Sequence, residues 1–184
     1  MNQERLNKTR EYLTGLPIEA DSKRYTMNFC KKTEYIKDIM RQAIQETGEH
    51  MSFGYGNVNS NICFIINNEP MFTIVKPLIQ DVLEKFGVDF WGVYVTFINK
   101  SATEYSKKIN LLMNEVNAVS PKIIYVFDKD EQAMNLLQSE FQQYGIQPAY
   151  IHFVDINKMA VDDVATRKEL WNKFRYLINY KDIS

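Results

Sequence analysis

Cysteine is close to absent from this 184-residue chain, which has only Cys30 and Cys63. Two thiols cannot hold an iron–sulfur cluster or a four-thiolate zinc site, so no metal cluster is expected. Cys63 lies inside an apolar run and reads as a small core residue; Cys30 lies in a basic helical stretch, and no structural disulfide is expected. Histidine is equally scarce. His50 and His152 are too far apart in sequence to suggest a metal pair, and neither metal nor cofactor is expected. No apolar run approaches the ~20 residues of a membrane span. The opening Met1-Asn2-Gln3-Glu4-Arg5 has no apolar signal region behind it. The expectation is a reduced, cytoplasmic protein that does not enter the membrane.

An excess of one charge is missing as well. Lys and Arg total 22 against 23 Asp and Glu, a formal net charge of -1. There is no global basic surplus of the kind that drives non-specific nucleic-acid binding, which leaves a local basic face as the route to DNA. Generic motifs are absent too. Gly54-Tyr55-Gly56 precedes a strand instead of following one, and no phosphate-binding loop or Gly-x-Ser-x-Gly elbow occurs.

What is present is an alternation. Hydrophobic content of 45% suits a globular chain, and the length suits one domain over 1–184. A helical N-terminal segment covers 1–50: a polar helix at 1–14, a break at Leu16-Pro17, and a helix over about 25–47 stopped by Gly48. An α/β core follows over 53–178. Its first strand is Ile62–Ile66, then a helix Phe72–Phe86 with Ile74, Val75, Leu78, Ile79, Val82 and Leu83 facing in. Strand two is Phe90–Phe97, rich in β-branched and aromatic residues. A helix at Thr103–Val119, a strand at Lys122–Phe127 and a helix at Asp128–Gln143 come next, with Asp128 or Asp130 as N-cap. Ala149–Val154 is strand four. Val164–Ile178 is the last helix, with Leu170, Trp171, Phe174 and Leu177 facing in. Short apolar strands separated by helices predict a three-layer α/β/α fold around a four-stranded parallel sheet, preceded by N-terminal helices.

In such a sheet, ligands bind beyond the carboxyl ends of the strands. Those ends carry Asn67, Asn68 and Glu69; Thr96, Phe97, Asn99 and Lys100; Asp128, Lys129 and Asp130; and Asp155, Asn157 and Lys158, with His152 inside its strand. Each has a plainer role. Asn67-Asn68 reads first as a turn or helix cap, His152 as a structural histidine, the aromatic run from Phe90 as core, and Asp128 as a helix start.

A joint order stands out. Gly54-Tyr55-Gly56-Asn57-Val58-Asn59-Ser60 leads into Ile62–Ile66, and Phe72 lies in the next helix. Val93-Tyr94-Val95-Thr96-Phe97-Ile98-Asn99-Lys100 follows, then Leu111-Leu112-Met113-Asn114-Glu115-Val116, Pro121-Lys122-Ile123-Ile124 and a closing helix with Trp171. In this order, over roughly residues 53–178, the chain resembles the uracil–DNA glycosylase superfamily, closest to the branch that usually carries an iron–sulfur cluster. The resemblance implies a glycosylase-like fold and DNA, single-stranded or damaged duplex, as partner. It implies base binding by Phe72, Phe97 and Asn99, with Asn67, Asn68, His152 and Asp155 as the catalytic candidates.

The departures fall on the chemistry. The Gly-Glu-x-Pro-Gly type of segment is replaced by Ile66-Asn67-Asn68-Glu69-Pro70, the base-reading Asn by Phe97, and the His-Pro pair by Asp155-Ile156; the cluster cysteines are missing. Asn67 or Asn68 would then hold the attacking water, and His152 or Lys158 would donate to the leaving base, whereas Asp155 would repel it. Three readings follow: excision of uracil or another modified base at a non-standard site; a catalytically inactive glycosylase-like fold that binds DNA or a protein; and an unrelated small-ligand α/β enzyme.

Overall fold

The computed structural model describes residues 32–39, 41, 45, 54–99, 105–159 and 163–179. The expected helix at 1–14, the Leu16-Pro17 break, Cys30, Gly48, His50 and Lys100 lie outside the described residues. Residues 32–39 are helical (α1), inside the helix expected over 25–47.

The core alternates as the apolar pattern requires. The strands are β1 (Tyr55–Gly56), β2 (Ile62–Ile66), β3 (Tyr94–Phe97), β4 (Ile123–Asp128) and β5 (Tyr150–Asp155). The helices are α2 (Glu69–Lys85), α3 (Tyr105–Val119), α4 (Gln132–Gln143), the single turn α5 (Ile156–Met159) and α6 (Val164–Phe174). The sheet order is β1-β3-β2-β4-β5. Strands β3, β2, β4 and β5 run parallel, and β1 pairs antiparallel with β3. The parallel four match expectation; the fifth strand does not. Gly56 makes it possible, because its φ of 106° and its closeness to the Val93 carbonyl leave no room for a Cβ.

Helices cover both faces. Phe64, Ile66, Tyr125 and Phe127 pack against Phe72, Val75, Ile79 and Leu83 of α2 and Phe174 of α6. Cys63, Ile65, Ile124 and Val126 pack against Ile109, Leu112 and Val116 of α3, Leu137 and Phe141 of α4, and Ile36 of α1. All residues of β2 and β4 are buried, so these strands read as continuous apolar runs. No helix among the described residues is long and apolar enough to cross a membrane.

Several boundaries differ from the sequence expectation, each for a local reason. Phe90–Gly92 is a 3-10 turn, since the Asp89 carboxylate accepts from the Trp91 amide at 2.8 Å and wins over strand propensity. Helix α2 starts at Glu69, ahead of Phe72: Asn68 caps it through the Met71 amide at 2.8 Å, and Pro70 fits its first turn. Ile74 is 74% exposed and Trp171 51% exposed, although both were expected to face in. Asp128 is the last residue of β4 and does not open a helix; α4 begins at Gln132. The last helix ends at Phe174 and continues as 3-10 turns over Arg175–Asn179.

Candidate functional site

Strand order reverses between β2 and β4. From β2 the chain crosses through α2 to β3 on one side, then returns through α3 to β4 on the other. The crevice at that reversal is where doubly wound sheets hold ligands. Ile66 pairs with Phe127, so the next residues on both strands, Asn67 and Asp128, meet across it.

Asn67 Nδ2 donates to Asp128 Oδ2 at 2.7 Å. The other Asp128 oxygen accepts from the Lys129 amide at 2.6 Å. Asp128 is only 6% exposed, so its charge is held by these two donors with little water. Asn67 Oδ1 accepts from Asn68 Nδ2 at 3.3 Å, and Asn68 Oδ1 in turn caps α2. One chain of bonds thus joins the start of α2 to the end of β4. The Asn67 carbonyl accepts from the Asn99 amide at 2.7 Å, which brings the end of β3 to the same place. Asp155 stands opposite Asp128 on β5, its carboxylate accepting from the Asn157 amide at 2.9 Å to start α5. Adjacent strands lie about 4.8 Å apart, so two carboxylates and two amides share this end of the sheet. Such a set can orient a water against an electrophilic carbon or pair with the polar edge of a planar ligand.

The remaining sequence candidates sit elsewhere. Phe72 is 8% exposed and Phe97 fully buried. They form an aromatic cluster with Tyr55 and Phe90, Phe72 lying 5.5 Å from Tyr55, 6.1 Å from Phe97 and 6.2 Å from Phe90 between ring centroids. Lys76 lies over Phe72 and Phe90, its Nζ 5.9 and 5.5 Å from the two centroids. His152 lies in mid-strand opposite Tyr125, three residues before Asp155 and therefore about 10 Å from the strand end. Its ring stacks on Tyr125 and Tyr176, and its Nε2 is buried with no hydrogen-bond partner among the described residues. Burial, aided by Lys173, lowers its pKa and favours the neutral ring. Lys158 pairs with Glu169 at 3.0 Å, on the surface.

Asp128 was among the strand-end candidates of the sequence, with a helix start as its plainer role, and the structure gives it the end of β4. One residue escaped the sequence reading. Glu115 is 1% exposed in α3. Its Oε1 accepts from the Gly54 amide and the Tyr94 hydroxyl, both at 2.6 Å, and its Oε2 from Thr96 Oγ1 at 3.0 Å. The signal was its place in the buried stripe Leu112, Val116, Val119. Farther off, a groove of about 470 Å³ separates α2 from α6, with the Phe86 and Trp171 rings tilted by 31° and 4.5 Å apart between centroids in its wall.

No protein-family model matches this chain, and no curated protein matches it.

Proposed function

We propose that this chain is a uracil–DNA-glycosylase-like protein that takes a nucleobase at the carboxyl ends of β2 and β4 and hydrolyses its N-glycosidic bond with a water held by Asn67 and Asp128. The observation that carries this reading is the 2.7 Å Asn67–Asp128 bond at the reversal of strand order. A carboxylate beside the sugar stabilises the positive charge that develops as the C1′–N bond breaks and accepts a proton from the water whose oxygen bonds to C1′, while the base leaves with the electron pair of that bond and takes its proton from solvent. The partner is DNA, single-stranded or locally opened, since a stacked base cannot reach a pocket at the strand ends.

A second reading has its own support. Phe72 and Phe97 are closed into the aromatic cluster, and His152 is remote from Asn67. A fold of this ancestry that binds DNA or a protein without excising a base fits those placements.

Single-turnover cleavage of a uracil-containing single-stranded oligonucleotide, with chelator present and alkali afterwards, separates the two. Excision that falls about 100-fold in Asp128→Asn supports hydrolysis. Tight DNA binding without a cleaved product supports the binding fold. Excision unaffected in both Asn67→Ala and Asp128→Asn refutes the assignment of the site.

A further inference from the structure

The groove between α2 and α6 shares no lining residue with the strand-end site. Leu78 and Val82 of α2, with Phe86 just past its end, recur every four residues and form one wall. Leu170, Trp171 and Phe174 of α6 form the other, and Met159 of α5 adds to the apolar lining. Phe86 and Phe174 are buried. Trp171 lines the groove yet is 51% exposed, so its indole is apolar surface that a guest can still take from water.

Dimensions decide the kind of guest. The volume of about 470 Å³ falls in the ~300–1,000 Å³ range of small-ligand sites. From Leu78 to Phe86 a helix rises about 12 Å, and that volume spread over this length leaves a cross-section of about 40 Å², or ~6 Å across. A partner helix with its side chains is ~10–12 Å wide and does not fit. A single hydrocarbon chain does, since carbons pack at ~3.5–4 Å.

Charge decides its head. The lining carries Lys85 and Arg167 against Asp81, one positive charge in excess. Lys85 closes the last turn of α2, is exposed, and forms no ion pair among the described residues. Its stem can lie along the apolar wall while the ammonium stays in water at the mouth. Leu78 stands seven residues earlier, about 10 Å along the helix, so a head at Lys85 lays a tail past Val82 toward Leu78. Asp81 is exposed one turn from Lys85. A doubly charged head would be repelled by it, whereas a single carboxylate pairs with Lys85 and keeps its distance from the acid.

We propose that the groove between α2 and α6 binds a free fatty acid, a single-chain amphiphile with one carboxylate, its tail between the two helices and its head at Lys85.

The test uses the full chain carrying Trp91→Phe, which leaves Trp171 as the single indole. Decanoate, kept below its micelle concentration, should change the Trp171 fluorescence saturably, with a Kd below ~0.1 mM and one site per chain. Decylamine, the same tail with the opposite charge, should bind at least tenfold more weakly. Lys85→Glu, at an exposed position, should reverse that preference. Val82→Phe, which fills the groove, should abolish binding of both, with circular dichroism showing both variants folded. No saturable change with decanoate overturns the proposal. So does decylamine binding the parent as tightly as decanoate, or decanoate binding that survives Lys85→Glu unchanged.

Discussion

Glu115 holds Gly54 by the backbone: the Gly54 amide donates to Glu115 Oε1 at 2.6 Å, from the residue before β1 to the middle of α3. The same oxygen takes the Tyr94 hydroxyl, and burial together with this carboxylate raises the Tyr94 pKa far beyond the physiological range. A carboxylate at 1% exposure is tolerated because donors surround it, three of them among the described residues. Glu115→Ala strands all three, so its expected loss of stability is about 3 kcal/mol by urea denaturation. Tyr94→Phe should lose about 1–2 kcal/mol. Gly54→Ala should also destabilise, since a Cβ there overlaps the Glu115 carboxylate. A Glu115→Ala chain as stable as the parent would remove this carboxylate from the account of the fold.

Phe72 separates core from contact. Truncating a buried phenylalanine to alanine costs about 3–5 kcal/mol, so Phe72→Ala should unfold at markedly lower denaturant. Phe72→Leu keeps most of the volume and should hold stability within about 1.5 kcal/mol. If Phe72→Leu is stable but loses DNA affinity, the ring is a stacking surface after all. If affinity is kept, the ring is core alone.

Asn68 has a helix to start. Its Oδ1 accepts the Met71 amide, and Asn68→Ala should lower stability by about 1 kcal/mol, as loss of an N-cap does. Asn68→Asp keeps the acceptor and adds charge at the helix N-terminus but loses the N–H that Asn67 Oδ1 accepts, so it should recover part of that loss in a thermal melt.

Acid should loosen the β5 side of the sheet. The His152 pKa is lowered in the folded chain, first by burial and then by Lys173. Unfolded, it titrates near about 6.5, so just below that pH the unfolded chain binds the extra proton. Stability from this group is therefore full above pH ~6.5 and lost as pH falls through the folded pKa. His152→Leu should flatten the pH dependence of unfolding in that window. An unchanged slope would put the acid sensitivity elsewhere.

The sheet was legible because period and composition agree: Ile62–Ile66 is apolar throughout, and a strand buried on both faces has to be. Legibility failed where a single polar side chain overrides the pattern. Asp89 turned Phe90–Gly92 into a 3-10 turn, and Asn68 moved the start of α2. The candidate site was half visible. Asn67 was found from its place after a strand, but its partner Asp128 is 61 residues away, and only the β2–β4 register brings them together. Trp171 sits out at the groove because the inner positions of α6 are taken by Phe174 and the half-buried Leu170, a choice that helical spacing leaves open.

The Asn67 amide is already engaged. A ligand that recruits its N–H must take it from Asp128, a carboxylate with 6% exposure and one other donor. Leaving that oxygen bare is costly, about 1–3 kcal/mol or more for a charged group. A guest that recruits Asn67 would therefore have to give back what it takes, with an acceptor for Asn67 and, beside it, an N–H or O–H for Asp128. By the same reasoning a molecule that only accepts, such as a simple anion, would leave the Asp128 oxygen bare, whereas a planar donor–acceptor edge would not.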